Sequence, residues 1–251
     1  MFDSFWKRFM HSTVPEEIGL KRIPKHVAII MDGNRRWAQK HGVSTTIGHW
    51  KGAEALMDIV DAASNLGIEV LTVYAFSTEN WSRSEEEVDG IMQLFKMYLS
   101  GQCERMIREG VRLDAIGDLE KLPPDVLKIL EETRAATAHG TKIDLVLAIN
   151  YGARDDIRRA VSSLVDDCLE GHLAKEDISE KVVAGYLDTA QWQDPELLIR
   201  TSGEMRLSNF LLWQISYSEI YISEVLWPDF NESHLLQALL DYQRRERRSG
   251  C

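Results

Sequence analysis

The alternation of short apolar runs with helix-patterned segments constrains the fold of this 251-residue chain more than any other feature. Apolar, β-rich runs predict six strands, which are Val27–Met31, Ile68–Phe76, Val111–Ile116, Lys142–Asn150, Leu197–Ile199 and Ile220–Val225. Helical patterns occupy much of the rest, at Gly52–Gly67, Glu85–Gly110, Pro123–Gly140, Arg154–Leu169, Ile178–Leu187 and Ser233–Arg248. Strands that alternate with helices build a parallel sheet covered by helices on both faces. We therefore expect an α/β fold with one domain and a mostly parallel sheet of about six strands.

Composition limits the class of protein. A formal net charge of -11 argues against general nucleic-acid binding. The three cysteines, at positions 103, 168 and 251, have neither metal-type spacing nor the even count of a disulfide framework, which predicts a reducing, cytoplasmic compartment. No run reaches transmembrane length, and Met1–Met10 lacks the apolar core of a signal peptide. That segment is either a packed N-terminal turn or a short amphipathic stretch in contact with a membrane or a partner.

Polar chemistry begins at once where the first predicted strand ends. Asp32 and Gly33 follow the strand, and Asn34, Arg35 and Arg36 open a helical pattern. Ligands of open α/β folds bind at this edge of the sheet, and a helix N-terminus with two arginines suits phosphate. A neighbouring carboxylate would repel phosphate unless a divalent cation lay between them. The stretch is therefore either a metal-bridged diphosphate site or a helix cap followed by a solvated basic turn.

The segment after the second predicted strand is equally dense in polar groups. Phe76–Arg83 contains three hydroxyls, a carboxylate, an amide, an indole and a guanidinium. A structural explanation exists, because Ser84 can cap the next helix and Glu87 can complete a capping box. That explanation leaves Asn80, Trp81 and Arg83 without a role.

The segment after the fifth predicted strand provides further phosphate donors. Arg200, Arg206 and Ser208 surround a glycine turn and could hold a second diphosphate. Glycine-rich dinucleotide and phosphate-loop motifs are absent from the sequence. The pairs Asp155–Asp156 and Asp166–Asp167 are interpreted as a solvated, charged helix face.

Together these blocks resemble one family, the cis-prenyltransferases, and in particular the bacterial undecaprenyl diphosphate synthases. The matching stretches are His26–Ala38, Gly48–Gly52, Tyr74–Arg83, Asn150–Gly152 and Leu198–Asp229. The resemblance implies a Mg²⁺-dependent homodimer that adds isopentenyl diphosphate units in cis to an allylic diphosphate, usually farnesyl diphosphate. The implied product is undecaprenyl diphosphate, a carrier lipid for cell-envelope and peptidoglycan precursors.

The resemblance also implies roles for individual residues. Asp32 would be the Mg²⁺-linked catalytic carboxylate, Asn80 would assist proton removal from isopentenyl diphosphate, and Glu219 would be a second metal-linked carboxylate that reaches across the dimer interface. The implied substrate-binding residues are Gly33, Asn34, Arg35, Arg36, Trp37, Thr45, His49, Ser77, Thr78, Glu79, Trp81, Arg83, Arg200, Arg206, Leu207 and Ser208. The chain departs from the family at Thr45, where an arginine is usual, and at Ser84, where a proline is usual.

The long apolar stripe of Glu85–Gly110 is either core or the wall of a tunnel, because periodicity does not separate the two. A product of many isoprene units needs a tunnel, which favours the second interpretation for Ile91–Leu99 together with Ala75 and Ile143. Two rival functions remain: a shorter-chain cis-prenyltransferase, and a non-catalytic partner subunit. The second need not keep Asp32, Asn80 and Arg206 together, and this chain has all three.

We expect three regions along the chain. Residues 1–22 form an N-terminal extension, residues 23–243 the prenyltransferase domain, and residues 244–251 a basic tail. The tail is either a solvated helix end or a segment that contacts anionic lipid, which would add peripheral contact with the inner membrane face.

Overall fold

A computed structural model describes residues 22–245 of the chain. Its strands are β1 (His26–Ile30), β2 (Val70–Ser77), β3 (Val111–Ile116), β4 (Ile143–Tyr151), β5 (Leu197–Arg200) and β6 (Glu219–Ile222). Its α-helices are α1 (Asn34–His41), α2 (Thr45–Asn65), α3 (Glu85–Glu109), α4 (Pro124–Thr137), α5 (Ala153–Leu169), α6 (Glu180–Gly185) and α7 (Glu232–Arg244). A short 3-10 helix, Thr78–Ser82, lies between β2 and α3.

The six strands form one sheet in the order β3-β4-β2-β1-β5-β6, and every pair is parallel. The predicted fold class is therefore confirmed. The chain places β2, β3 and β4 on one side of β1, with β4 between β2 and β3, and then crosses to add β5 and β6 on the other side. Such a reversal of direction separates the loops at the carboxyl ends of neighbouring strands and leaves a crevice for ligands. The fold thus points to the edge beyond β1, β2 and β5.

The inner strands β1, β2, β4 and β5 are buried on both faces, which explains why they are nearly continuous apolar runs. Val27 and Ile29 of β1 join the core under α2, α3, α4 and α7. Ala28 and Ile30 point the other way and pack with Tyr151 and the segment around Phe210. Side chains alternate across a strand, so β1 contributes to both cores.

Helix α2 begins at Thr45, seven positions before the predicted start. Ser44 caps it by accepting a hydrogen bond from the amide of Ile47 at 3.4 Å. Gly52, where the predicted helix begins, lies inside α2 together with Gly48, and both glycines allow close packing. A Cβ on Gly48 would lie 2.3 Å from the carbonyl oxygen of Asn34, and one on Gly52 would lie 2.5 Å from its Oδ1. Because these two positions lack a side chain, α1 and α2 can approach each other closely.

The interpretation of Asp155–Asp156 as a solvated face is wrong for Asp156, which is buried. Its carboxylate accepts hydrogen bonds from the hydroxyl of Tyr151 and the backbone amide of Asp188, both at 3.1 Å. Burial, followed by the nearby charge of Asp188, raises the pKa of Asp156 to about 6. Asp155 does lie on the helix surface, paired with Arg158 at 2.8 Å.

His26 at the start of β1 makes the stability of the fold sensitive to pH. It is fully buried between the carbonyl of Gln193 and the hydroxyl of Thr72, and burial lowers its pKa from 6.5 to about 4. Its neutral form therefore stabilises the fold above pH 6.5, and this contribution is lost as the pH falls toward 4. We expect the stability advantage of the wild type over His26→Gln to shrink by about 2 kcal/mol between pH 7 and pH 5, measured by urea unfolding. A stability difference between the two proteins that is the same at pH 7 and pH 5 would contradict the prediction. Asp156 also titrates in this range, but it is present in both proteins, so its effect cancels in the comparison.

Some predictions fall on the chain ends. The Met1–Met10 segment and residues 246–251 of the basic tail lie outside the described residues, as does Cys251, and the division into 1–22, 23–243 and 244–251 stays a prediction. Helix α7 ends at Arg244, before the predicted Arg248. Within residues 22–245, no helix is long and apolar enough to cross a membrane. Cys103 and Cys168 are free thiols.

Candidate active site

A cavity of about 310 Å³ opens at the carboxyl edge of β1, β2 and β5. One end is polar and is lined by Asp32, Asn34, His49, Ser77, Asn80, Arg83, Arg200, Arg206 and Ser208. The other end is apolar and is lined by Ala53, Leu56, Ala75, Ile91, Leu94, Phe95, Tyr98 and Leu147. The structure therefore joins a charged mouth to an apolar interior lying between the sheet and helices α2 and α3.

Arg200, the last residue of β5, is the hub of the polar end. Its side chain is only 4% exposed. One terminal nitrogen donates to Asp32 Oδ2 at 2.8 Å, and the other donates to Ser208 Oγ at 2.9 Å and to the carbonyl of Arg206. Its Nε is buried and has no partner. The structure therefore links Asp32 to the loop after β5 through Arg200.

A second cavity, of about 700 Å³, lies beside the first at the start of α1. Among its lining residues are Gly33, Asn34, Arg35, Arg36 and Thr45. Gly33 has φ +115°, a left-handed conformation that glycine adopts at low cost, and α1 begins without any side-chain cap. Because the Asp32 carboxylate bonds Arg200 instead of capping α1, the helix-cap interpretation does not account for it.

Acidic side chains balance the arginines of the two cavities. Arg36 lies 3.5 Å from Asp32 Oδ1 and 3.3 Å from Glu204, and Glu204 also pairs with Arg206. Glu87 accepts a hydrogen bond from Arg83 at 2.7 Å. In this form each of these guanidinium groups has an acidic partner, which an anionic ligand could replace.

His49 lies on α2 beside Glu87. Its Nδ1 is 3.4 Å from the amide nitrogen of Asn34, and its Nε2 is buried without a hydrogen-bond partner. Burial, and then the charge of Arg83, lowers the pKa of His49. The imidazole is therefore neutral at neutral pH, and its Nε2 lies 3.6 Å from Glu87 Oε1.

The 3-10 helix after β2 carries Asn80 and Trp81. The Asn80 amide oxygen accepts a hydrogen bond from the amide of Ser77 at 3.1 Å and closes a capping box with the Ser77 side chain. The Trp81 indole donates to the side chain of Asn150 at 2.7 Å. Ser84 caps α3 as predicted, but the Glu87 side chain bonds Arg83 rather than completing a box. The predicted capping box is wrong because an ion pair takes the carboxylate.

Several predicted site residues are not on either cavity wall. Trp37 stacks on His41 with ring centroids 4.0 Å apart and donates to Asp229. Leu207 packs against the core around Phe210. The others absent from both linings are Thr78, Glu79, Trp81 and Glu219.

Glu219 lies far from Asp32 within one chain. It pairs with Leu197 at the amino end of β5, whereas Asp32 follows the carboxyl end of β1. Its carboxylate accepts a hydrogen bond from Arg245 at 3.1 Å. A metal-linked role for Glu219 stays a prediction, and that role requires a second chain.

Of the residues predicted to line a tunnel, Ile91, Phe95 and Ala75 line the cavity, and so do Leu94 and Tyr98 within the predicted stretch. The prediction is wrong for Leu99 and Ile143, which are fully packed in the core and absent from the wall. Leu147 also lines the cavity.

Sequence reasoning missed the carboxylates of Glu87 and Glu204 and the amides of Asn150 and Asn209. Glu204 stands two positions before Arg206, so a charge pair was visible in the sequence. Asn209 bonds Glu79, which is 130 positions away in sequence. No local signal could have identified that contact.

Comparisons with known proteins agree with this geometry. A family model described as "Putative undecaprenyl diphosphate synthase" matches residues 30–250. The isoprenyl transferase of Chlamydia caviae is 48% identical over 237 residues, which cover 93% of this chain and 95% of that protein. The isoprenyl transferase of Bacillus anthracis is 46% identical over 235 residues, which cover 94% of this chain and 91% of that protein.

Solved structures agree as well. A lavandulyl diphosphate synthase from Lavandula x intermedia, solved with dimethylallyl diphosphate, matches with a TM-score of 0.87 and 37% identity over 89% of this chain and 97% of its own. A probable undecaprenyl diphosphate synthase from Campylobacter jejuni matches with a TM-score of 0.77 and 34% identity over 92% of this chain and 100% of its own. The chain is a prenyltransferase and belongs to the undecaprenyl diphosphate synthase family.

Proposed function

We propose that this enzyme elongates farnesyl diphosphate with isopentenyl diphosphate in cis and releases undecaprenyl diphosphate for cell-envelope carrier lipid. One observation carries the proposal: a single cavity joins the arginine-lined mouth to an apolar interior. A prenyl diphosphate has the same two parts, an anionic head and an apolar tail. The growing chain would lie between α2 and α3 while its diphosphate stays at the mouth.

The two cavities support two diphosphate positions. The allylic diphosphate would lie at the start of α1, where Gly33, Asn34 and the arginines 35 and 36 surround the larger cavity. Isopentenyl diphosphate would lie against Arg200, Arg206 and Ser208. Ionising the allylic substrate builds negative charge on its leaving diphosphate, which arginines and a helix N-terminus stabilise.

Mg²⁺ fits the residues present at this edge. The Asp32 carboxylate is partly exposed and lines both cavities. Its Oδ2 bonds Arg200, whereas its Oδ1 has only a 3.5 Å contact to Arg36. Mg²⁺ binds proteins through one or two carboxylates together with substrate phosphates. Asp32 would hold the ion against the allylic diphosphate, where it would supply Lewis-acid stabilisation of the leaving group.

Condensation releases a proton from isopentenyl diphosphate, which the leaving diphosphate would accept, and it needs a dry site. We assign Asn80 to assist this proton removal, because it lines the same cavity as Ser77 and Arg200. Trp81 is on neither cavity wall but belongs to the same short helix, which its bond to Asn150 would hold in place. Holding the alkene against the allylic carbon supplies a further, entropic share of the rate.

The size of the cavity bears on the length of the product. The cavity volume is at the low end of the range for small-ligand pockets, about 300–1,000 Å³. A long product therefore requires α2 and α3 to separate or the chain to pass Tyr98. A shorter-chain product is the second candidate function, and this volume is the observation that favours it.

Tyr98 provides a direct test of chain length. On α3 it is the cavity-lining residue farthest along the helix from Arg83, it is fully buried, and its hydroxyl has no partner. We expect Tyr98→Ala to lengthen the product by at least one isoprene unit, and Tyr98→Phe to keep the length while raising stability slightly, because an unpaired buried hydroxyl is lost. Leu99→Ala is the matched control, since Leu99 is equally buried but absent from the wall. An unchanged product from Tyr98→Ala would contradict the assignment.

A homodimer completes the proposal. Strand β6 is the edge of the sheet, and exposed apolar side chains lie on or near it: Ile220 at 40%, Met205 at 86% and Tyr217 at 93%. An apolar edge strand favours pairing with another chain. We place the second chain there, which would bring Glu219 into an interface, and we propose a cytoplasmic enzyme with peripheral contact at the inner membrane face.

The test is a product assay. The purified chain is incubated with farnesyl diphosphate, labelled isopentenyl diphosphate and Mg²⁺, with and without chelator, and dephosphorylated products are sized by chromatography. A ladder that ends near eleven units and is lost with chelator supports the proposal. A shorter end point favours the second candidate, and no incorporation with any allylic starter would indicate a non-catalytic subunit. Light scattering gives the mass, expected to be twice 28.7 kDa.

A further inference from the structure

Three segments meet beside the proposed site. They are the 3-10 helix that carries Asn80, the loop that carries Ser208, and the start of α5. Asn209 belongs to the loop and contacts both of the other segments. Its side-chain nitrogen donates to Glu79 Oε1 at 2.9 Å, its side-chain oxygen accepts from the amide of Arg154 at 3.0 Å, and its carbonyl accepts from the amide of Ala153 at 2.8 Å.

Gly152 makes this approach possible. A Cβ at this position would lie 2.6 Å from the hydroxyl of Thr78 and 2.8 Å from the side-chain nitrogen of Asn209. Its φ of −154° is extended backbone, which any residue adopts. Glycine is therefore needed here for space and not for conformation.

Glu79 is held on two sides. Its Oε2 accepts a hydrogen bond from Thr78 at 3.1 Å while Oε1 accepts from Asn209. Burial acts to raise the pKa of Glu79, but hydrogen bonds, that of Asn209 foremost, bring it below its ordinary value. The carboxylate is charged at neutral pH and is absent from both cavity walls.

We propose that Asn209, Glu79 and Gly152 are positioning residues, which fix the Asn80-bearing helix against the Ser208-bearing loop so that the two parts of the isopentenyl diphosphate site keep their spacing. We call these three residues the junction. The inference rests on the proposed function for the roles of Asn80 and Ser208. The contacts of the junction are independent of those roles.

Asn209→Asp tests the junction by replacing the side-chain NH₂ group with an oxygen. The new carboxylate still accepts a hydrogen bond from the amide of Arg154, and the backbone carbonyl still accepts one from the amide of Ala153. The carboxylate also faces Glu79, so the hydrogen bond to Glu79 becomes a repulsion. We expect kcat/KM for isopentenyl diphosphate to fall about 3- to 10-fold at pH 8, with KM for the allylic substrate little changed. Glu79→Gln in the same chain restores a hydrogen bond with donor and acceptor exchanged, and activity should recover. Glu79→Gln alone measures what loss of the charge costs, because its amide oxygen still accepts a hydrogen bond from Asn209.

A pH profile separates this effect from a general structural defect. In Asn209→Asp two carboxyl groups face each other, and lowering the pH protonates one of them, so the activity of this variant relative to wild type should rise toward pH 6. The other groups that face Glu79 are the hydroxyls of Ser77, Thr78 and Tyr74, and burial raises the pKa of Tyr74, so these stay neutral. The double variant should show no such rise.

Gly152→Ala is the second variant, and hydrogen exchange the second measurement. The added methyl should lower kcat/KM for isopentenyl diphosphate at every pH. Backbone exchange of the peptide containing Thr78–Ser82 should speed up in Asn209→Asp and return to the wild-type rate in the double variant, whether or not the enzyme turns over. Failure of the wild type to incorporate isoprene would refute the proposed function alone. Wild-type exchange and activity in Asn209→Asp, or no recovery in the double variant, would refute the junction.

Discussion

Asp32→Ala should abolish turnover and lower the melting temperature while the chain stays folded. The carboxylate is the proposed Mg²⁺ ligand at the allylic diphosphate, and loss of such electrostatic stabilisation costs about 10³-fold or more in kcat. The substitution also removes the 2.8 Å partner of Arg200, whose side chain is almost fully buried. Breaking a fully buried ion pair costs about 3–5 kcal/mol, but Asp32 is partly exposed, so we expect about 2–3 kcal/mol here.

Arg200 keeps Ser208 and the carbonyl of Arg206 in this variant, so the cost stays below the total stability of a domain, about 5–15 kcal/mol. For a domain of this size, we expect a melting temperature about 5–10 °C lower by calorimetry, with native circular dichroism at 25 °C. Asp32→Asn is the matched variant, because it keeps an acceptor for Arg200 but lacks the charge. It should restore much of the stability and little of the activity. A loss of circular-dichroism signal in both variants would contradict a site role for Asp32.

The sheet could be predicted because the burial of its inner strands is visible in the sequence as runs of apolar residues. A strand covered on both faces is an unbroken apolar run, and each of the six runs became a strand with bounds shifted by a few residues. The polar edge followed from the same logic, since Asp32 follows β1 and Arg200 ends the neighbouring β5, where it pairs with Ile30. A parallel sheet brings such residues together whatever their separation in sequence.

What the sequence did not reveal depends on tertiary neighbours. The helical pattern was placed only from Gly52, because the contact that requires glycine at positions 48 and 52 is with Asn34 of α1 and is not local in sequence. Asp156 looked solvated because its partner Asp188 belongs to a distant loop. The choice between Leu99 and Tyr98 is a rotation of about 100° around α3, which periodicity alone does not fix.

Arg200→Lys should reduce kcat/KM for isopentenyl diphosphate by about 10²- to 10³-fold and also destabilise the fold. One planar guanidinium at present bonds Asp32, Ser208 and the carbonyl of Arg206, and its buried Nε remains unpartnered. An ammonium is a point charge without the fork geometry, so it cannot hold these groups and a diphosphate at once. Steady-state kinetics with each substrate varied, together with calorimetry, measures both effects.

Arg112→Lys is the matched control for this change. Arg112 of β3 pairs with Asp144 of β4 through two hydrogen bonds, but neither residue lines a cavity of the site. The control should keep wild-type kinetics and lose at most about 1 kcal/mol, as expected for a partly exposed pair. If Arg200→Lys lowered stability as predicted but left KM and kcat for isopentenyl diphosphate unchanged, Arg200 would be an organiser of the β5 loop and not a diphosphate ligand. A loss confined to kcat/KM for isopentenyl diphosphate, in a variant folded at the assay temperature, assigns Arg200 to that substrate, because displacement of Asp32 would lower kcat/KM for the allylic substrate as well.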